Sequence, residues 1–267
     1  MRQGGISNAR RVARGYVYRL GIRAPEHIRI EAIARRMGAR VVEGPLDGAD
    51  AQLVRSGDDV RVIVSDRITD PGARRWAIAH ELGHLVLGHP SFPPHLLGGP
   101  APQRPTKNHE RDYEAEANTF ASELLMPYEL VSTWCDASPV DLTIPWRIAH
   151  AFTMSILATT IRFAELSPER CAAVFSARHQ VSWCAPSPTF TRKIERGRRL
   201  DPASVAWDFF KTGRIDDRAQ PVPADAWFDT SIDVEIVEHS IASEQFGTVL
   251  SLLWIPERVA APLGMVG

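Results

Sequence analysis

The pattern of apolar and polar positions predicts an α+β protein, in which helices alternate with short strands. The clearest helical pattern lies over residues 71–87, with Asp70 at the N-cap, Pro71 at the first helical position and Gly88 just past the end. A further helix is predicted over 110–125 and ends before a proline. The apolar seam of this helix is formed by Ala117, Phe120, Ala121 and Leu124.

Shorter elements are predicted along the rest of the chain. The predicted helices cover residues 8–20, 28–37, 144–166 with a break near 153–155, and 201–212. The predicted strands cover residues 39–44, 59–66, 172–183, 232–239 and 246–255, and the last two form a hairpin. Residues 90–105 contain six prolines and are expected to form a long loop, and residues 186–188 are expected to form a linker.

Composition and charge exclude several classes of protein. The 267 residues carry 31 basic and 32 acidic side chains, a balance that argues against a protein binding nucleic acid mainly through charge. No apolar run is long enough for a transmembrane helix, and the first residues lack the apolar core of a signal peptide, so we expect a cytoplasmic protein without membrane contact. The three cysteines are widely spaced and are expected to be free, buried thiols.

The basic residues concentrate at the start of the chain. Residues 1–40 contain ten arginines and only two glutamates. A solvated helix face explains this concentration best, and the alternative is a basic surface for an acidic partner or for nucleic acid.

The residues with the clearest chemistry are 80–84, with the sequence HELGH. On a helix, residues four apart share one face, so His80 and His84 are predicted to bind one metal ion. Glu81 lies beside the first histidine and is expected to act as the base towards a metal-bound water. Gly83 is small and is expected to face the metal.

Such a catalytic zinc site needs a third protein ligand and an open position for water. Glu114, on the apolar seam of the 110–125 helix, is the favoured third ligand, because a carboxylate facing inward needs a partner or a metal. Glu116 and His89 are the rivals. Asn118, one turn after Glu114, is expected to hold a ligating histidine through a hydrogen bond. Glu110 and Glu123 are expected on the solvent side of the helix.

Together, the segments HELGHLVLGH and EAEANTFASELLMP resemble the ImmA/IrrE family of bacterial and phage metallopeptidases. The resemblance covers about residues 8–166. It implies a minimal zincin fold, a Zn²⁺ cofactor held by His80, His84 and Glu114, and Glu81 as the catalytic base. Family members cleave helix-turn-helix repressors, so the resemblance implies a repressor as protein substrate and derepression of stress-response or mobile-element genes. The chain departs from the family in its long proline-rich segment, which affects the shape of the substrate cleft.

The resulting organisation has three parts. Residues 1–135 form a zincin-like metallopeptidase domain, residues 136–182 a helical segment resembling a helix-turn-helix, and residues 183–267 a small α+β unit. The second helix of the middle part carries one basic residue, Arg162, so direct DNA binding is not expected. The donor to the oxyanion of the reaction stays open between four residues, Tyr113, Tyr128, His89 and His109.

Two other functions remain as alternatives. One is a non-enzymatic sensor that uses the C-terminal unit for ligands and the zinc site as structure. The presence of Glu81 argues against it, because a structural zinc site needs no base and normally has four protein ligands. The other is a regulator that binds DNA directly through the basic N-terminal residues.

Overall fold

A computed structural model describes residues 2–90, 107–229 and 235–257. Chain contacts divide it into two compact units: unit 1 is Met1–Val131 with Ala149–Ser155, and unit 2 is Ser132–Ile148 with Ile156–Gly267. The three-part organisation expected from the sequence does not coincide with this division. The proline-rich loop lies outside the described residues after Pro90, and so does the start of the strand expected at 232.

Unit 1 combines a three-stranded sheet with a group of helices. The bounds are α1 Arg2–Arg19, a 3₁₀ helix Pro25–His27, α2 Ile30–Arg36, β1 Arg40–Gly44, β2 Ala51–Ser56, β3 Asp59–Ser65, α3 Pro71–Leu87 and α4 Lys107–Leu125. Helices α5 Tyr128–Cys135 and α6 Thr143–Phe152 contain residues of both units.

The small sheet has the order β1-β3-β2, with β1 parallel and β2 antiparallel to β3. Strand β2 was not predicted, and the turn expected near residues 56–59 joins β2 to β3. Because β2 lies at the edge of the sheet, one side of its backbone is not paired with another strand of the sheet.

Helix α3 has the predicted bounds, and its caps explain them. The side chain of Asp70 accepts a hydrogen bond of 2.6 Å from the Ala73 amide, and Gly88 ends the helix with φ +71°. Helix α3 packs on α4, whose seam residues are fully buried, as predicted. Gly83 lies in this interface: a Cβ added to it would be 3.0 Å from Ala117 Cα. The expectation that Gly83 faces the metal is therefore wrong, since it allows the two helices to approach closely.

Glu123 on α4 is fully buried, which corrects the expectation of a solvent-side charge. Its carboxylate accepts a hydrogen bond of 3.1 Å from Arg14 Nε and one of 3.0 Å from the Tyr128 amide. Arg10 lies 3.9 Å away. Two arginines of the basic N-terminal segment thus form ion pairs with this buried carboxylate.

Unit 2 is built on a five-stranded antiparallel sheet with the order β5-β4-β8-β7-β6. Its further elements are α7 Ile156–Leu166, β4 Cys171–Ala177, β5 Gln180–Pro186, α8 Val205–Thr212, β6 Gln220–Pro223, a 3₁₀ helix Ala224–Ala226, β7 Glu235–Ser243 and β8 Thr248–Trp254. The predicted break between α6 and α7 and the predicted β7–β8 hairpin are both present.

Two expectations about unit 2 are wrong. Residues 172–183 form a hairpin rather than one strand, because Arg178 and His179 turn the chain with φ of +51° and +61°. The expected linker contains Ser187, which is 3% exposed. The hydroxyl of Ser187 donates to the Glu169 carbonyl at 2.7 Å and accepts from the Cys171 amide at 3.2 Å. This segment is therefore anchored to the sheet.

Helix α8 is capped by a residue of β7. The buried carboxylate of Glu238 accepts hydrogen bonds from the amides of Val205 and Ala206, at 3.0 and 2.8 Å. It also accepts from Trp227 Nε1 and the Ser240 hydroxyl, both at 2.7 Å. Burial raises the pKa of Glu238, and these four donors oppose that rise.

The structure also bears on the expected free thiols and on the expected absence of a transmembrane helix. The three cysteines are free thiols; Cys135 and Cys171 are buried, and Cys184 is half-buried. Within the described ranges, none of the helices has the length and apolar character needed to cross a membrane.

Candidate metal centre

Helix α3 brings His80 and His84 to one face, one turn apart. Their Nε2 atoms are 3.0 Å apart, and both side chains are mostly shielded from solvent. The firm capping of α3 fixes the turn that carries them. Two imidazole nitrogens therefore converge on one point.

Glu114 of α4 completes the group. Its carboxylate oxygens lie 3.2 Å from His80 Nε2 and 3.4 Å from His84 Nε2. Ligands at about 2.0–2.1 Å around a tetrahedral zinc ion are about 3.3 Å apart, so these spacings fit such an ion. The Glu114 side chain is 59% exposed, which corrects the expectation that it faces inward. These three residues form a group able to hold a metal ion.

Each histidine has a partner at its other ring nitrogen. His80 Nδ1 lies 3.0 Å from Asn118 Oδ1, and His84 Nδ1 lies 3.0 Å from Nδ1 of the buried His89. His89 Nε2 in turn lies 3.2 Å from Glu116 Oε2.

These contacts define the tautomers that metal binding requires. With both Nε2 atoms given to a metal, each Nδ1 carries the hydrogen. His80 then donates to Asn118, and His84 donates to His89. His89 must accept at Nδ1 and donate from Nε2 to a carboxylate, which the position of Glu116 allows. Every donor in this series of hydrogen bonds therefore faces an acceptor.

The charges of the group reinforce one another. Hydrogen bonds from His80, the larger effect, and from His84 lower the pKa of Glu114 well below its usual range. Burial disfavours the charged form of His80, but the hydrogen bond and negative charge of Glu114 outweigh burial and raise the pKa of His80. The group thus favours an ionised carboxylate, which is the form that binds a metal.

Glu81 lies next to this group and is half-buried. Burial raises its pKa, whereas the charges of His80 and His84 lower it. The backbone amide of Leu53, on the edge strand β2, is its hydrogen-bond partner. A carboxylate with a raised pKa is better suited to take up a proton near neutral pH.

The structure separates the rival third ligands. Glu116 and His89 bond to each other, behind His84, while Glu114 contacts both histidines of α3. Sequence reasoning did not find the role of His89 as partner of His84. The signal was its position just after the Gly88 helix stop, which turns the chain back: the His89 amide donates to the His84 carbonyl at 3.1 Å.

The remaining candidates for the oxyanion donor occupy different surroundings. The Tyr113 ring lies 4.7 Å from the His89 ring, close to the metal group. The Tyr128 ring lies beneath the Arg14 guanidinium, at 4.8 Å. The side chain of His109 and that of Glu110 lie outside the described residues.

A peptidase family model, described as the IrrE N-terminal-like domain, matches residues 34–164. This range contains α3, α4 and all the residues of the metal group. Residues 34–164 therefore form a domain of the ImmA/IrrE family. The IrrE-like domain therefore confirms the resemblance, and it is typical of a metallopeptidase.

Comparison of structures shows a wider likeness in fold. A Mycobacterium tuberculosis transcriptional regulator matches with a TM-score of 0.61 and 16% sequence identity, covering 93% of this chain and 76% of that chain. The match thus extends beyond the IrrE-like domain into unit 2. A search of curated proteins finds no significant match.

Proposed function

We propose that the protein is a zinc-dependent endopeptidase that cleaves a helix-turn-helix transcriptional repressor. One observation carries the peptidase part: a carboxylate, Glu81, stands beside a group that has three ligands among the described residues. Three ligands leave a position for water, and a purely structural zinc site has no use for a neighbouring base. Membership of a peptidase family supports the same conclusion.

The residues of the chain have separable tasks in this proposal. His80, His84 and Glu114 hold the ion, which when bound supplies Lewis-acid polarisation of the scissile carbonyl and acidifies water. Glu81 accepts the proton of the attacking water and delivers it to the departing amine. Asn118 and His89 keep the two imidazoles in the tautomer that leaves Nε2 free.

The edge strand β2 is suited to binding the substrate. An extended peptide adds readily to an exposed strand edge through backbone hydrogen bonds. Because the amide of Leu53 on this strand bonds to Glu81, a peptide lying along β2 would pass close to the base. This arrangement favours an unfolded or extended segment of a protein as substrate.

The identity of the substrate rests on the family and on fold. The resemblance to the ImmA/IrrE family implies a helix-turn-helix repressor as substrate, and the structural neighbour is named a transcriptional regulator. Direct DNA binding by α7 is disfavoured, because Arg162 is 1% exposed and bonds to Glu165 at 3.0 Å. A buried arginine is not available to phosphate groups.

Metal content tests the ligand set. Elemental analysis of the purified wild type should give about one zinc per chain, as expected for a single three-ligand site. Glu114→Ala, which removes a ligand, should lose the zinc, whereas the matched variant Glu116→Ala, which removes only the partner of His89, should retain zinc at saturating metal. Zinc loss only in Glu116→Ala would show that the third ligand is wrongly assigned. A wild-type protein without zinc after reconstitution would refute the proposed peptidase activity.

Cleavage tests the reaction and its substrate. Cells expressing the wild type or Glu81→Gln are compared by mass spectrometry of new protein N-termini. New termini within a helix-turn-helix protein should appear only with the wild type, while both proteins retain zinc. Identical termini with both proteins would favour a non-enzymatic regulator.

A further inference from the structure

Unit 1 contains a second concave site, separate from the metal group. Its cavity has a volume of about 580 Å³ and lies between the 3₁₀ helix with α2, the second turn of α3, and the end of α6. This volume is within the range of small-molecule sites, about 300–1,000 Å³. None of the residues of the metal group lines it.

Three arginines line this cavity: Arg29, Arg35 and Arg75. In the described part of the chain, none of the three forms an ion pair with a carboxylate. Other arginines of unit 1 do find such partners: Arg74, next in sequence to Arg75, lies 3.7 Å from Glu31 and 3.4 Å from Glu43. A concave site with unpaired positive charge concentrates anions.

Arg75 is the most constrained of the three. Its Nη1 donates to the Ile28 carbonyl at 2.9 Å, which fixes the guanidinium against the wall of the cavity. Its Nε is buried and, within the described ranges, has no hydrogen-bond partner. Burial lowers the pKa of Arg75, and the charge of Glu31 opposes this effect. An anion bound at the guanidinium would relieve the desolvation of this cation, which has no carboxylate in ion-pair contact among the described residues.

The end of α6 lines the cavity through residues 151–153, and this segment is held in place. Phe152 is 2% exposed and Thr153, a β-branched residue, adopts a φ of +52°. This segment lies directly on α3, because a Cβ added to Gly72 would be 3.1 Å from Met154 Cα. The cavity therefore has a fixed wall at the end of α6 and a fixed guanidinium, that of Arg75, on α3.

Two acidic residues also line the cavity and bear on its selectivity. Glu31 is engaged by Arg74, and Glu26 is exposed to solvent. Three arginines against these two carboxylates leave a positive balance. The arginine fork suits planar or tetrahedral oxyanions in two-point contacts.

We propose that this cavity binds a small organic oxyanion, either a phosphate monoester or a carboxylate. Arg75 anchors the oxyanion, and Arg29 and Arg35 contact it from the rim. The organic body lies against the partly exposed apolar residues of the lining, Pro25, Ala32 and Ala151. The site does not depend on the peptidase activity, since it shares no residue with the metal group.

Calorimetric titration of the full-length, zinc-loaded protein tests the proposal. Phenyl phosphate, benzoate and neutral benzyl alcohol share an aromatic body and differ in charge, and all are titrated at equal ionic strength. At least one anion should bind saturably and benzyl alcohol should not; the anion preferred identifies the ligand as a phosphate or a carboxylate. Absence of saturable binding by both anions would overturn the proposal.

Variants place the binding in the cavity. Arg75→Met and Arg29→Gln should each weaken anion binding about tenfold or more, as expected for loss of a charge-assisted hydrogen bond. Arg36→Gln is the matched control, because Arg36 is exposed on α2 and does not line the cavity. Arg29 is exposed, so its replacement leaves the fold intact. Unchanged affinity in both Arg29→Gln and Arg75→Met would contradict the proposal, because the anion would then bind elsewhere, for example at the zinc ion.

Discussion

At the scale of single residues, the buried imidazole of His89 is the most informative. It is 3% exposed, and each of its ring nitrogens has a partner, His84 on one side and Glu116 on the other. Partners of this kind orient a metal ligand without touching the metal. His89 and Glu116 therefore belong to the centre even though the metal group does not include them.

Replacement of His89 by Phe should weaken zinc binding about 10–100-fold, the usual effect of removing such a partner. Phe fills the same space but accepts no hydrogen from His84 Nδ1. Affinity is measured by competition with a chromophoric chelator, and the visible spectrum of the cobalt-substituted protein should shift as the ligand field changes.

His89→Gln is the control for this prediction, since its side chain retains an acceptor for His84 and should recover part of the affinity. Equal zinc affinity and equal cobalt spectra in wild type and His89→Phe would show that His89 merely fills space.

Glu123 supplies a second prediction at this scale. Glu123→Gln should lower the free energy of unfolding by about 2–3 kcal/mol, because a buried carboxylate with charged donors is replaced by an amide. Urea denaturation measures the change. Glu129→Gln, an exposed position on α5, should change stability by less than about 0.5 kcal/mol.

Whether a residue was predictable depended on how far away its partner lies in sequence. The HELGH spacing brings His80 and His84 together within one helical turn, so periodicity alone suffices. Glu123 is the opposite case, because its partner Arg14 is 109 residues distant. No local pattern distinguishes a charge with such a partner from one facing water.

At the scale of elements, the approach of α3 to α4 depends on Gly83. A Cβ there would lie 3.0 and 3.1 Å from the Cα and carbonyl oxygen of Ala117, both backbone atoms that cannot turn aside. Gly83→Ala should therefore destabilise the protein by about 1–3 kcal/mol and weaken zinc binding, because His84 and Glu114 move apart.

Gly15→Ala is the matched control for this change. Gly15 lies within α1, and a Cβ added to it meets nothing within 4 Å. This substitution should stabilise the protein by about 0.5–1 kcal/mol through helix propensity. Thermal and urea unfolding compare the two variants, and a Gly83→Ala protein as stable as wild type would refute the close contact.

The elements missed from sequence are those with weak local signals. Strand β2 mixes the polar residues Gln52, Arg55 and Ser56 with apolar ones, and it is held as a strand by its pairing with β3. The turn between β4 and β5 uses Arg178 and His179 at positive φ, where Gly or Asn is usual. The bounds of helix α3, by contrast, are set by its own capping residues, Asp70 and Gly88.

At the scale of the whole molecule, a bound metal would join α3 to α4 through His80, His84 and Glu114. Removal of zinc should therefore accelerate hydrogen exchange of amides in these two helices. The protection lost is up to about 100-fold when zinc stands at about 100 times its Kd. Exchange measured by mass spectrometry should leave β4 and β8 unchanged, and an equal change in all segments would contradict a local effect.

The capping of α8 by Glu238 has a consequence for the order in which the chain is synthesised. Val205 leaves the ribosome 33 residues before the carboxylate that receives its amide hydrogen bond. Helix α8 must therefore wait, uncapped, until most of the protein has emerged, whereas α3 carries its own Asp70 cap from the start. A nascent chain halted before β7 would expose the start of α8 to chaperones and proteases, so this helix would report on whether translation has passed β7.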